Sequence, residues 1–495
     1  MNLADALADN AHRRPDHAAV IEGGRVLSHS EFFEAVRRWA AALVGLRVAP
    51  GQIVGVNLKD TAEHLIALYA IARAGAAILP MDWRWTDHEK ESVAGAFGAQ
   101  LVISEADDGF GALDGPWQSV RLDPDWQGKV AAADPGRTFP ESDDPPLVLA
   151  LSSGTTGTPK GPLITHRQFL ARFMIYFVTL GFNERTRYLC ATPLYFGGSR
   201  GYAMCALYAG ATVRLSPPPH EAPELVAVAN DFGASHLFLV PTQLRRVLAL
   251  SGGAEETPLF QTLDLLFSTG AVLHPEERDR LMVRLCPRYL NFYGSTDGGG
   301  CSALLWHDPE SVAASVGRPV FGARMEIVDG DDRRVATGEV GRIRYRHPGT
   351  ATGYYNNPEA SLEAFRGGWY YPGDLGWLDE GGYLFLAGRA TDMIIRGGVN
   401  IYPAEIEHVL ALHPKVHEAA VVGWSSNEFG EEVAAFVVPR QGGADAVSGD
   451  ALISHCRERL APYKAPRQIF LLDELPKTGV GKIRKDQLAA RLPPL

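Results

Sequence analysis

The chain has 495 residues, 46% of them hydrophobic and 21% charged, with a formal net charge of −11 at pH 7. That length exceeds one ordinary domain and that composition is neither disordered nor fibrous, so two or three packed globular units are expected. The acidic balance and the lack of a Lys/Arg run argue against a nucleic-acid partner. The five cysteines, Cys190, Cys205, Cys286, Cys301 and Cys456, are far apart and have no metal-ligand spacing, which reads as reduced thiols. Met1 to Pro15 carry Asp5, Asp9, Arg13 and Arg14 within a helical pattern, without the apolar core of a secretion signal. No apolar run approaches the roughly 18 uncharged residues of a membrane span, so a cytoplasmic protein is expected.

In chain order, Glu31 to Leu46 and Thr61 to Ala74 are patterned as helices. Ile53 to Leu58, Leu147 to Leu151, Leu237 to Val240 and Leu263 to Phe267 are short apolar stretches that read as buried strands. The alternation predicts α/β layers with mixed parallel sheets. From about Gly322 the character changes. Arg324 to Val328, Gly341 to Arg346 and Trp377 to Ala387 alternate between Gly, Asp and Pro turns, predicting a small β-barrel-like sheet. Beyond a break near Gly388 to Asp392, a helix opening at Pro403, strands at Val416 to Gly423 and Glu432 to Val438, a helix at Ala451 to Leu460 and a strand at Gln468 to Leu472 predict a small α+β domain.

The strongest local signal is Ser152-Ser153-Gly154-Thr155-Thr156-Gly157-Thr158-Pro159-Lys160-Gly161, directly after an apolar strand. Glycines let backbone amides approach a phosphate, hydroxyls donate to it and the lysine offsets its charge. It is not a Walker loop, and its composition alone also fits a polar surface loop. Its order of residues resembles the phosphate loop of the adenylate-forming superfamily: acyl-CoA synthetases, peptide-synthetase adenylation domains and luciferases. The resemblance covers nearly the whole chain and is closest in look to aryl- or medium-chain acyl-CoA ligases.

Further matches follow in the superfamily's order. Asn291-Phe292-Tyr293-Gly294-Ser295-Thr296-Asp297 resembles its adenine segment, which implies the adenine against Tyr293, the Thr296 hydroxyl on a phosphate and Asp297 on Mg²⁺. The family usually has glutamate at the last position; a shorter carboxylate still offers oxygen to a hard cation. Tyr371-Pro372-Gly373-Asp374 resembles the step whose carboxylate holds the ribose hydroxyls, so Asp374 inherits that role and Arg389 a ribose contact. The resemblance divides the chain into a large domain at residues 1–388, a hinge at 389–392 with Thr391 as its pivot, and a mobile C-terminal lid at 393–495. In the lid, Gly397 and Gly398 match the segment lining the pantetheine tunnel, and Lys482 of Lys477-Thr478-Gly479-Val480-Gly481-Lys482 matches the catalytic lysine.

The implied reaction consumes ATP with Mg²⁺ and a small-molecule carboxylic acid, forms an acyl-adenylate with Lys160, Thr296 and Lys482 as catalytic groups, and passes the acyl group to coenzyme A. The acid pocket is expected beside Tyr195-Phe196-Gly197-Gly198-Ser199 and Ser268-Thr269-Gly270-Ala271. Phe196 stands where many members have a gating histidine, so no imidazole contact to the carboxylate is expected and an apolar acid is favoured. Arg84, Phe429 and Tyr463 are candidate coenzyme A contacts. An amide synthetase, a carrier-protein-loading ligase, a luciferase-like monooxygenase and a silent nucleotide-binding protein are the alternatives, and a homodimer is the assembly expected.

Overall fold

A computed structural model describes residues 2–107, 115–136, 144–151, 160–218, 220–250, 257–270, 275–396, 399–426, 429–440, 447–478 and 483–493. Ser152, Ser153, Gly154, Thr155, Thr156, Gly157, Thr158, Ala271, Gly397, Gly398 and Lys482 therefore lie outside the described residues.

Two large sheets form the N-terminal part. The first has nine strands; its centre runs Ala18–Glu22, Thr212–Leu215, Arg187–Cys190, His236–Phe238, Leu265–Ser268 and Tyr289–Ser295, all pairing in parallel. Antiparallel strands close both edges: Arg25–Ser28 at one, Gly299–Leu304 and then Arg318–Pro319 at the other. The second sheet orders Gln118–Arg121, Leu101–Ser104, Ile53–Asn57, Ala77–Pro80, Pro146–Leu149 and Leu163–Thr165, parallel except for its last pair. Ile53–Asn57, Ala77–Pro80 and Leu101–Ser104 are buried along their whole length, which explains their unbroken apolar sequences.

The helices between them follow the expected periodicity. His29–Gly45 starts at a capping box in which Ser28 accepts from the Glu31 amide, and buries Phe32, Val36, Trp39 and Leu43 on one face. Ala62–Arg73 is buried from His64 to Ala72, and only Glu63 and Arg73 at its ends reach the surface. A five-residue π-helical turn, Tyr176–Leu180, follows His166–Ile175 and was not legible in the pattern.

The third sheet is antiparallel, with six strands between Arg324–Val328 and Leu384–Arg389. The stretch read as one run from Trp377 to Ala387 is a hairpin of Asp374–Leu378 and Leu384–Arg389, because Asp379 accepts the Tyr383 amide and closes a turn between them. The C-terminal domain has its own five-stranded sheet and its own core of Ile394, Ile406, Leu410, Val421, Val433, Val437 and Leu452. Its long hairpin, Val416–Ser426 with Gly430–Pro439, extends three residues beyond the expected strand end at Gly423, since pairing continues to Ser426 opposite Gly430. The architecture is thus mixed α/β with a separate C-terminal domain. Among the described residues, no helix is long and apolar enough to cross a membrane. All five cysteines are buried and free of disulfides.

Candidate active site

Parallel strands deliver the candidate segments to one edge of the structure, because each segment follows the carboxyl end of a strand. Leu194 to Ser199 follow Arg187–Cys190, Thr269 and Gly270 follow Leu265–Ser268, and Thr296 and Asp297 follow Tyr289–Ser295. A Cβ built on Gly197 would lie 3.5 Å from Thr296 Cγ2, so the acid segment and the adenine segment meet directly.

The turn after Ser295 is built tightly. Gly298, Gly299 and Gly300 leave no room for a side chain: a Cβ on Gly298 would enter the Tyr345 and Tyr370 rings, and one on Gly300 the Phe292 ring. Gly299 also has φ of 78°, in the left-handed region. Arg172, buried in the helix His166–Ile175, fixes this turn from beneath by donating to the carbonyls of Gly349, Thr296 and Asp297, each at 2.9 Å.

Asp297 is 5% exposed. Its Oδ2 accepts from Tyr354 at 2.8 Å and, more weakly, from Tyr370 at 3.4 Å, while its Oδ1 has no partner. Burial raises its pKa above the usual carboxylate range, against the opposing pull of the Tyr354 hydroxyl, Arg172 and Lys160. Lys160 stacks its ammonium 5.0 Å over the Tyr354 ring, which brings the lysine of the Ser/Thr/Gly-rich segment to the same carboxylate.

A second cluster centres on Asp374. Its Oδ2 accepts the Tyr293 hydroxyl at 2.5 Å and its Oδ1 pairs with Arg389 Nε at 3.0 Å. Arg389 also donates to the Pro372 carbonyl at 2.7 Å, and Gly373 makes the turn with φ of 80°. The Pro372-Gly373-Asp374 step therefore presents its carboxylate beside the adenine-segment tyrosine. Thr391 stands exposed in the single turn Ala390–Asp392 between the two domains, its hydroxyl donating to Asp392 at 3.2 Å.

Several candidates sit differently from a simple pocket lining. Phe292 is buried against Tyr176, so its ring belongs to the core, and Asn291 pairs in register with Ser268. Ser199 and Ser268 are fully buried, hydrogen-bonded to Thr192 and Tyr289 respectively. Gly270, by contrast, faces open space. Arg84 is held by Asp82 through two bonds of 2.8 Å, lies 5.4 Å over the Tyr195 ring and donates to its hydroxyl at 3.2 Å, on the acid-segment side. Phe429 is covered on one face by Arg396 at 4.2 Å, and Tyr463 is 41% exposed in the turn Pro462–Lys464. Arg172, Tyr354 and Tyr370 were not read from the sequence. For Arg172 a signal existed, a cation beside Phe169 and Phe173 on the buried face of its helix; for the two tyrosines there was none.

A sequence profile described as AMP-binding enzyme matches residues 7–355, and one described as AMP-binding enzyme C-terminal domain matches residues 405–482. The chain belongs to the AMP-binding enzyme family. It is 33% identical to a 2-succinylbenzoate–CoA ligase of Geobacillus kaustophilus, across 98% of this chain and 97% of that protein. It is 32% identical to an indoleacetate–CoA ligase of Aromatoleum aromaticum, across 99% of both. The fold superposes on ATP-bound MatB from Rhodopseudomonas palustris with a TM-score of 0.90, at 26% identity and with 99% of each chain covered. The acid–thiol ligase character of these relatives and the two-domain match make this AMP-binding enzyme an adenylate-forming ligase of the same class.

Proposed function

We propose that this enzyme activates an apolar carboxylic acid with ATP, releases pyrophosphate, and transfers the acyl group to coenzyme A with release of AMP. The observation that supports the reading most directly is a pair of carboxylate clusters on the matching segments: Asp374 with Tyr293 and Arg389, and Asp297 with Tyr354 and Lys160. In the reading, Tyr293 faces the adenine, Asp374 and Arg389 the ribose, and the Ser152 to Thr158 segment, Lys160 and Thr296 the phosphates. An oxygen of the acid attacks the α-phosphorus, the bond to pyrophosphate breaks, and Lys482 stabilises the charge shared by the attacking oxygen and the α-phosphate. The lid then turns about Thr391, which withdraws Lys482 and brings Gly397 and Gly398 to the thiol. The sulfur attacks the acyl carbon, AMP leaves, and Arg84, Phe429 and Tyr463 are assigned to the nucleotide end of coenzyme A.

Mg²⁺ fits this chain at Asp297. A buried carboxylate with one oxygen unpartnered suits a hard cation that takes one protein carboxylate and draws its other ligands from phosphates and water. When bound, the ion neutralises phosphate charge. Asp297→Asn separates this role from stability. A carboxyl whose folded pKa is raised above 3.8 costs the fold stability as pH rises through that window, so the amide variant without nucleotide melts above the wild type at pH 7. The Mg²⁺ concentration giving half-maximal activity rises at least about tenfold. Thermal melts and Mg²⁺ titration of activity check both; a lower melting temperature with unchanged Mg²⁺ demand contradicts the assignment.

Pyrophosphate release across a panel of aryl, alicyclic and fatty acids, with and without coenzyme A, tests the function. An acid that triggers release, and an acyl-thioester formed on adding coenzyme A, support the reading. Release that coenzyme A does not accelerate points to an amine or carrier-protein acceptor, and absence of release with every acid counts against adenylation. A cytoplasmic homodimer completes the proposal, with light scattering as its check.

A further inference from the structure

Arg200 stands in the first turn of the helix Gly197–Tyr208 and is 2% exposed. The other deeply buried guanidinium near it, Arg172, is satisfied by three carbonyls. Arg200 is not. Its Nη1 donates to the carbonyls of Leu194 at 3.3 Å and Tyr195 at 2.8 Å, its Nε has no partner, and among the described residues no carboxylate pairs with it.

The placement is unfavourable on three counts. The guanidinium is desolvated, it lies at the positive end of a helix dipole, and Arg172 is a second buried cation in its field. Burial first, and Arg172 second, push its pKa down to about 10. A group kept charged against those terms with part of its donor set unused is suited to an anion that arrives with the substrate.

Its position says which anion. The helix begins at Phe196 without a side-chain cap, so its leading amides are not satisfied by a cap. The Cβ position of Gly197 lies 4.0 Å from Arg200 Nη2 and 3.5 Å from Thr296 Cγ2, so the space left by the missing side chain runs from the guanidinium to the phosphate-side threonine. We propose that Arg200, with the first amides of its helix, binds the reacting carboxylate of the acid and directs one oxygen toward the nucleotide. Phe196 offers no donor for this contact, and the arginine one turn further along the chain supplies it. The inference deepens the adenylation reading and rests on it, since it names what holds the acid in that reaction.

Fluorine NMR of para-fluorobenzoate and of its neutral analogue para-fluorobenzamide, with the wild type, Arg200→Gln and Arg200→Lys, tests the proposal, ATP binding being measured on each protein. The wild type is expected to favour the carboxylate over the amide. Arg200→Gln is expected to weaken the carboxylate about 10–100-fold while leaving the amide and ATP unchanged, and Arg200→Lys to recover part of the loss. Equal weakening of both probes, no weakening of either, no carboxylate preference in the wild type, or loss of ATP binding in both variants would overturn it. A wild type that binds the carboxylate yet releases pyrophosphate with no acid instead sinks adenylation and leaves the anion site standing.

Discussion

Replacing Lys482 by alanine is expected to lower acid-dependent pyrophosphate release by about 10²–10³-fold, the loss typical when one preorganised donor to a developing charge is removed. The same variant should still make thioester from a supplied acyl-adenylate, because the lysine serves only the first half-reaction in the proposed mechanism. Lys477 and Ile483, on either side of it, are bridged antiparallel, and Lys477 is tied to Glu418 at 2.7 and 2.8 Å. Melting temperature is measured on both proteins, so that a lost role is told from a lost fold. Stopped-flow measurement of pyrophosphate, set beside thioester formation from synthetic adenylate, checks the split. Equal loss in both halves would remove the lysine from its assigned role.

Arg172→Met should cost about 3–5 kcal/mol of stability, because methionine fills the volume but leaves the carbonyls of Gly349 and Thr296 without a donor, each worth about 1–3 kcal/mol, and that of Asp297 with only the Ala351 amide at 3.4 Å. The damage falls on the turn that presents Thr296 and Asp297, so nucleotide affinity should fall with stability. Urea unfolding monitored beside ATP binding tests this. A loss under about 1 kcal/mol would mean that water or a rearranged turn satisfies the carbonyls.

Both effects show what was legible in the chain and what was not. Strands such as Ile53–Asn57 and Arg324–Val328 were readable because apolar runs and strict alternation leave few other solutions. The clusters around Asp374 and Asp297 were anticipated through the order of Tyr293, Asp297, Asp374 and Arg389 along the chain, a matter of resemblance more than of local pattern. What escaped was tertiary. Tyr354 reaches Asp297 across 57 positions and Arg172 reaches it across 125, separations that no periodicity encodes. Arg200 escaped for another reason: in the sequence it is one polar residue in a glycine-rich stretch, and only its burial without a counter-ion sets it apart. Ser199 and Ser268 show the converse, since hydroxyls in the expected pocket segments turn inward to Thr192 and Tyr289.

The most direct test of the central claim follows an oxygen atom. An acid labelled with oxygen-18 in its carboxylate, turned over with ATP, Mg²⁺ and coenzyme A, should place one labelled oxygen in AMP and none in pyrophosphate, because the carboxylate oxygen that attacked the α-phosphorus leaves with AMP when the thiol takes the acyl group. Unlabelled AMP, or label in inorganic phosphate, would mean that no acyl-adenylate was formed and would contradict the account.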